Sequence, residues 1–466
     1  MPVRRWLADL AWLPGQGVRR DVLIEADAER FTSVTPVSAP PALTTPPASP
    51  TTERLPGLTL PGFANAHSHA FHRALRAITQ ADRGTFWTWR ERMYEVAARL
   101  DPDSYLRLAR AVYAEMALAG ISCVGEFHYL HHQPGGRPYA DPNAMGRALV
   151  QAAAEAGLRM TLLDTCYLAG GLAPAEPRGM LPLAGPQLRF GDGDAARWAA
   201  RAADLGYDEH GMISSHAKAG AAIHSVRAVP RDQMHAVVAW AHTCGAPLHA
   251  HMSEQQAEND ACQALYGVSP SKLLYEQDVL GPRATVVHAT HVDAGDLDLL
   301  GGSCVFACLC PTTERDLGDG LAPAHALAGA GCTLTLGSDS HAVIDMLEEA
   351  RGVEYAERLA RRARGHLTAE TLLGAATCAG HASLGWPDAG EIAPGAWADL
   401  VTVSLDSVRT AGAAGDLALE AAVFGACAAD VRTVVIGGRD IVRDGVHLLL
   451  PDVPGELSRT IRAVLA

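Results

Sequence analysis

Eight apolar, β-rich runs recur through the middle of the chain, and helix-like segments lie between them. The runs are LTLPGFANAH (58–67), GISCVGEFHY (120–129), LRMTLLDTCY (158–167), GAAIHSV (220–226), APLHAHMSE (246–254), ATVVHATH (284–291), SCVFACLCP (303–311) and CTLTLGSDSH (332–341). DSYLRLARAVYAEMALAG, PNAMGRALVQAAAEAG and RDQMHAVVAWAHTCG are examples of the intervening helical segments. Short strands that are apolar on both faces and separated by helices indicate parallel βα units. Eight of them predict a (β/α)8 TIM-like barrel, a fold of about 250 residues plus insertions, over residues 60–385.

Strand-like segments flank this core at both ends. ADLAWLP, RDVLIEAD and RFTSVTPV precede it, and GEIAPGAWADLVTVSL and VRTVVIGGRDIVRDGVHLLL follow it, with GGRD as a hairpin turn. Residues 1–59 and 386–466 are therefore expected to build one composite, β-sandwich-like domain. The Pro/Thr/Ser-rich piece SAPPALTTPPASPTTERLPG (38–57) is expected as an exposed loop.

Polar residues fall at one end of most runs. His67 and His69 end the first; Glu126, His128 and Tyr129 the second; Arg227 follows the fourth. His249, His251 and Glu254 end the fifth, His288 and His291 the sixth, and Asp339 and His341 the eighth. In a barrel of this type the active site forms at the C-terminal ends of the strands. His67 and His69, one residue apart on a strand, point to the same face. Two imidazoles aimed at one point suit a metal, whereas each would need its own hydrogen-bond partner in an apolar core.

A catalytic divalent ion takes roughly three or four N/O ligands and keeps a position open. His67, His69, His251 and Asp339 supply that set. Each also has an ordinary structural use: Asp339 in GSDS is placed to cap the following helix, IDMLEEARGVEYAERLARRAR, which carries Glu354/Arg358 and Glu357/Arg361 pairs at i,i+4. Four such residues at matching strand ends favour one divalent metal ion. Zinc is the default for this ligand set, and iron or manganese fits it too.

Composition narrows the partners. The formal charge of −14 argues against nucleic acid. No run of about 18 apolar residues predicts a membrane span. The N-terminal apolar run is broken by Asp9 and lacks a cleavage site, so it does not read as a signal peptide. The ten cysteines are scattered, with no CxxC pair, and read as buried free thiols of a cytoplasmic protein.

PGFANAHSHAFHRAL, HAHMSEQ, VVHATH, LGSDSH and the closing GEIAPGAWADLV resemble the amidohydrolase superfamily, in its branch of deaminases that bind one metal. Within that branch HSHAFHRAL, FWTWRERMY, GEFHYLHH, HSVRAVP, HAHMSEQQAEND and GSDSHAVIDMLEEARGVEYAERL are similar to the formimidoylglutamate deiminase family. The resemblance implies hydrolytic deimination of N-formimino-L-glutamate to N-formyl-L-glutamate and ammonia in histidine degradation. It assigns His67, His69, His251 and Asp339 to the metal. Catalysis falls to Glu254 as acid at the imino nitrogen, to His288 as orienting group and to Asp339 as proton acceptor.

The substrate implied is a dicarboxylate, and bidentate guanidinium groups suit carboxylates. Arg90 and Arg227 are the candidate grips, with Tyr129 adding a hydroxyl. His72 stands where the family commonly has Gln, and it is expected to contact the substrate. A homodimer is the assembly the resemblance implies. The alternative substrate is a guanine- or cytosine-like ring, which would favour aromatic stacking over two inward arginines. A catalytically silent barrel would be expected to have lost a ligand or the acid, and none of the six metal and catalytic residues is missing.

Overall fold

The computed structural model describes residues 3–37, 52–81, 83–176, 179–413 and 415–466. Each of the eight runs contains a strand. We label them β1 (Phe63–Ser68), β2 (Ile121–His128), β3 (Arg159–Cys166), β4 (Ala217–Ile223), β5 (Leu248–Met252), β6 (Ala284–His288), β7 (Phe306–Leu309) and β8 (Thr333–Leu336). All seven successive pairs are parallel, and the strands follow chain order. Except for Lys218 and the ends of β7 and β8, every strand residue is buried, as a sheet covered on both faces requires.

The seam between β8 and β1 is closed by a few bonds at its upper end. The Asp339 N–H donates to the His67 carbonyl (3.0 Å), and the His69 N–H donates to the Asp339 carbonyl (3.3 Å). Asn65 laces the same seam: its Nδ2 donates to Ser338 Oγ (2.7 Å), and its Oδ1 accepts from the Ser338 N–H (2.9 Å). Closing the barrel therefore sets the backbone of three candidate metal ligands at once.

The terminal strands form a single eight-stranded sheet. Its order is Val446–His447, Arg439–Arg443, Val431–Ile436, Leu400–Val403, Thr52–Pro61, Arg4–Leu13, Gly17–Asp27 and Arg30–Pro36. The strand Arg4–Leu13 serves two cores. Trp6, Ala8, Ala11 and Leu13 pack within this sheet's own cluster, while Leu10 and Trp12 join the barrel's. The GGRD hairpin forms with Gly437 and Gly438 at φ +54° and +70°, the left-handed pair that a two-residue turn needs. A Cβ on Gly438 would also lie 2.4 Å from the Ala28 carbonyl oxygen.

Four expectations need correction. Residues 38–51 of the expected loop lie outside the described residues, but its remainder is strand: Thr52–Pro61 pairs with Arg4–Leu13 and Leu400–Val403. The first run is two strands, because Leu58–Pro61 belongs to the outer sheet and the barrel begins at Phe63; Gly62, whose N–H donates to the Asp399 carbonyl (3.1 Å), makes the crossing. The C-terminal stretch is not all β. It holds helices Ala418–Gly425 and Val453–Leu465, and the second packs on α2 (Pro102–Leu118) of the barrel wall. The thiols are not all buried: Cys304 is exposed, and Cys244, Cys378 and Cys427 are half-buried.

Candidate metal centre and active site

Side chains of His67, His69, His251 and Asp339 converge above the barrel, their ligand atoms all within 4.8 Å of one another, and all four are buried. His67 and His69 alternate out of β1 onto one face. Asp339 Oδ1 lies 3.3 Å from His67 Nε2 and 3.4 Å from His69 Nε2, and His251 Nε2 lies 3.0 Å from His67 Nε2.

Neighbouring strand ends orient two of the rings. His69 Nδ1 faces the Phe127 carbonyl (2.9 Å), and His251 Nδ1 faces the His224 carbonyl (2.8 Å). A carbonyl only accepts, so both Nδ1 atoms carry the proton. In the neutral rings both Nε2 atoms then present bare lone pairs inward. Burial disfavours charging these imidazoles: it brings His69 down to about 3 and lowers His67 and His251 as well. His67 Nδ1 is buried without a partner. Neutral rings place at most one proton, on His67 Nε2, among four converging donor atoms. A divalent cation satisfies all four, so the residues fit a metal.

The backbone here is strained. Ser253, His288, Ala289, Asp339 and His341 take φ of +52°, +76°, +50°, +38° and +58° at the ends of β5, β6 and β8. Non-glycine residues hold that region only where their surroundings force it, at about 1–3 kcal/mol each. Capping of the following helix, the ordinary alternative for Asp339, is taken by another residue. Asp345 caps Met346–Arg361, accepting from the N–H groups of Leu347 (3.0 Å) and Glu348 (3.2 Å).

Glu254 and His288 stand beside the cluster. His288 Nε2 is 3.6 Å from Glu254 Oε1 and 3.9 Å from Asp339 Oδ2, and its Nδ1 is 3.4 Å from Glu314 Oε1. Burial alone would lower the His288 imidazole, but Glu254, Glu314 and Asp339 outweigh it and push it up to about 10. Burial likewise resists ionisation of Asp339, yet His67, His288 and His69 hold it well below the usual carboxylate range.

The pocket above the cluster contains about 580 Å³ of empty space, part of it open to solvent. His72, Arg90, Tyr129 and Arg227 all line it, together with Phe86, Trp89, Met93, Tyr167 and His224. His72 Nε2 is hydrogen-bonded to the Tyr129 hydroxyl (3.0 Å), so these two candidates act as one unit. Arg90 comes from α1 (Phe86–Arg99), donates to the Tyr167 hydroxyl (3.2 Å) and lies over the Tyr94 ring. Arg227 donates to Glu254 Oε2 (3.2 Å), and its Nε is in ion-pair contact with Glu258 Oε2 (2.5 Å). All ten proposed site residues thus meet around one pocket and its floor.

Four strand-end histidines do not join them: the His128 ring packs edge-on against His131, and His341 Nε2 lies 3.1 Å from Ser68 Oγ. His249 points down the barrel to the Ser383 carbonyl (3.0 Å), and His291 faces the Asp319 carbonyl (2.9 Å). Glu258, Glu314, Asp319 and His224 border the site and were not singled out from the sequence. Asp319 is pushed up to about 9 by burial and by Glu254. Of the four, only His224 carried a legible signal, as the strand-end residue of HSVRAVP.

The amidohydrolase family pattern matches residues 58–441, which spans the barrel and the central strands of the outer sheet but not its N-terminal strands. The chain belongs to the amidohydrolase family. As a family member it is a hydrolase acting on non-peptide C–N bonds, with a buried His/His/His/Asp metal site. This amidohydrolase is 38% identical over 408 residues to the formimidoylglutamate deiminase of Pseudomonas aeruginosa, covering 85% of this chain and 87% of that one. It is 31% identical over 397 residues to the 8-oxoguanine deaminase of the same organism, covering 83% of each. A crystal structure of an amidohydrolase from Brucella melitensis superposes with a TM-score of 0.87 at 32% identity, over 99% of this chain and 100% of that one. An adenosine deaminase from Xanthomonas campestris with bound zinc shares the fold at a TM-score of 0.80 and 22% identity, over 98% of each chain. No helix among the described residues is long and apolar enough to cross a membrane.

Proposed function

We propose that this amidohydrolase is a metal-dependent deiminase that converts N-formimino-L-glutamate to N-formyl-L-glutamate and ammonia, in the breakdown of histidine. One observation carries the reading: two arginines, Arg90 and Arg227, line the same pocket as the metal-ligand cluster. An acidic protein that turns two guanidinium groups toward its reacting centre is suited to a dicarboxylate. The 38% identity to a formimidoylglutamate deiminase supports the same substrate.

His67, His69, His251 and Asp339 hold one divalent ion, with zinc as the preferred metal. An ion held there would supply hydroxide near neutral pH by acidifying water. Asp339 accepts the proton that water gives up, and His288 orients the nucleophile and stabilises the charge that develops. Addition to the C=NH carbon gives a tetrahedral centre. Glu254 delivers a proton to its nitrogen and the proton held by Asp339 follows; as the C–N bond breaks the hydroxyl returns its proton to Glu254, leaving the formyl group and ammonia. Arg227 and Arg90 grip the two carboxylates, while the His72–Tyr129 pair bounds the pocket and offers a hydrogen bond. We further assign the protein to the cytoplasm, as a homodimer.

The runner-up is a ring deaminase. The aromatic wall of Phe86, Trp89, Tyr129 and Tyr167, together with the 8-oxoguanine deaminase relative, favours it. Ammonia release by the zinc-loaded protein, measured with formiminoglutamate and with guanine, decides between them. Release from formiminoglutamate alone, lost on changing either arginine to alanine, is the expected result. Release from guanine alone overturns the reading.

A further inference from the structure

Glu258 lies inside the protein, on the inner face of helix Gln256–Tyr266, yet its position in QAEND resembles that of a solvent-facing residue. Its two oxygens face different neighbours. Oε1 accepts from the Ser253 N–H (2.9 Å), at the strained turn that leads into Glu254. Oε2 is in ion-pair contact with Arg227 Nε, and neither atom has a hydrogen-bond partner, so the charge of Glu258 and not a hydrogen bond holds that edge. Arg227 is therefore shared by two carboxylates, and the two differ in kind. Glu258 is tied to the backbone at that turn and set against the Nε edge of Arg227. Glu254 also reaches toward His288, on the metal side.

A ligand carboxylate that seeks Arg227 must replace one of them. We propose that Glu258 is a positioning residue: it holds the Arg227 guanidinium by its Nε edge, so that an incoming carboxylate exchanges with Glu254 at the Nη2 edge and leaves Glu254 free beside the metal centre. Recognition of a substrate carboxylate and release of the acid become one event. This deepens the formimino-acid reading and rests on it for the identity of the substrate.

The charge arithmetic makes the proposal testable by sign. If Glu258 were only a nearby negative charge, Glu258→Gln would strengthen the binding of any anion. As a positioning residue its loss lets Arg227 fall wholly onto Glu254, and binding weakens. Calorimetric titration of the metal-loaded protein with glutarate, a dicarboxylate without the reacting group, needs no turnover. The expected result is about tenfold weaker binding in Glu258→Gln, in line with one lost charged contact. Glu254→Gln, which removes the competitor, is expected to bind glutarate about tenfold tighter than wild type, an increase absent when Arg227→Ala is added. In turnover, Glu258→Gln should raise KM for formiminoglutamate much more than it lowers kcat, whereas a loosened fold would lower kcat and the melting temperature together. Glutarate binding that is unchanged or tighter in Glu258→Gln, or unchanged in Glu254→Gln, overturns the exchange. If the wild type binds glutarate but releases no ammonia from formiminoglutamate, the substrate assignment falls and the exchange is still judged on the titrations.

Discussion

Glu254 is a single carboxylate between two cations. It touches Arg227 on the pocket side and faces His288 on the metal side. Positioned proton transfer contributes typically about 10²–10⁴-fold to a rate. Glu254→Gln keeps the shape and loses the proton, so kcat should fall by about that factor. Metal content should stay at the wild-type level, because Glu254 is outside the ligand cluster; elemental analysis of the purified variant checks this. Asp339→Asn makes the contrast: it strikes the ligand set itself, and metal and activity should be lost together. Much of this was legible residue by residue. HSH, HAH and GSDS stand at strand ends, where chain position alone implies convergence. Glu258, Glu314 and Asp319 were not legible, since each acquires its meaning from a partner on another element.

Helices and loops hold the pocket wall in place through buried polar ties. Arg189 donates to the carbonyls of Ala97 and Leu100 (2.6 Å) at the end of α1, and to that of His132 (2.8 Å) in the loop beyond Tyr129. It thereby joins the helix that carries Arg90 to the strand end that carries Tyr129. Arg189→Met should free both walls, raising KM and the rate of limited proteolysis between residues 76 and 100. A second tie lies behind β3, where Arg201 pairs with Asp164 (2.8 Å) and Asp192 (2.9 Å). Burial resists ionisation of both acids. Arg201 outweighs it for Asp164, and His132 with Arg201 does so for Asp192, holding each below the ordinary 3.8. Folded carboxyls that ionise more easily than unfolded ones contribute stability above the unfolded pKa and lose it as pH falls below that value. The melting temperature of the wild type should therefore drop below about pH 4. Removing one partner of a buried pair costs about 3–5 kcal/mol, so Arg201→Gln should be much less stable at neutral pH. Its two stranded acids then prefer the proton, and its melting temperature should rise on mild acidification, opposite to the wild type. None of this tie was visible in the sequence, where Asp164 sits inside an apolar run and Arg201 inside an alanine-rich helix.

Across the whole molecule, the alternation of runs was enough to identify a barrel, because parallel strands buried on both faces leave few other arrangements. The junctions were less legible. The first run reads as one strand, since Leu58–Pro61 and Phe63–Ser68 are both apolar, and only the three-dimensional partition assigns them to different sheets. Those sheets are pinned by Asp399. Its carbonyl accepts from the Gly62 N–H, and its carboxylate pairs with Arg159 at the foot of β3 and accepts from the Gly437 N–H (2.7 Å). The seam has a further consequence. Asn65 and Ser338 are 273 residues apart, so almost three quarters of the 466-residue chain must be made before the barrel's first edge can be clasped by its last. Until then the ion has nowhere to sit. An ion held by all four ligands would load after closure and would in turn act as a rivet across the join. Stripping the metal with a chelator should speed amide hydrogen exchange at His67, His69 and Asp339 well before it does so at β3 and β4, and zinc should reverse the change.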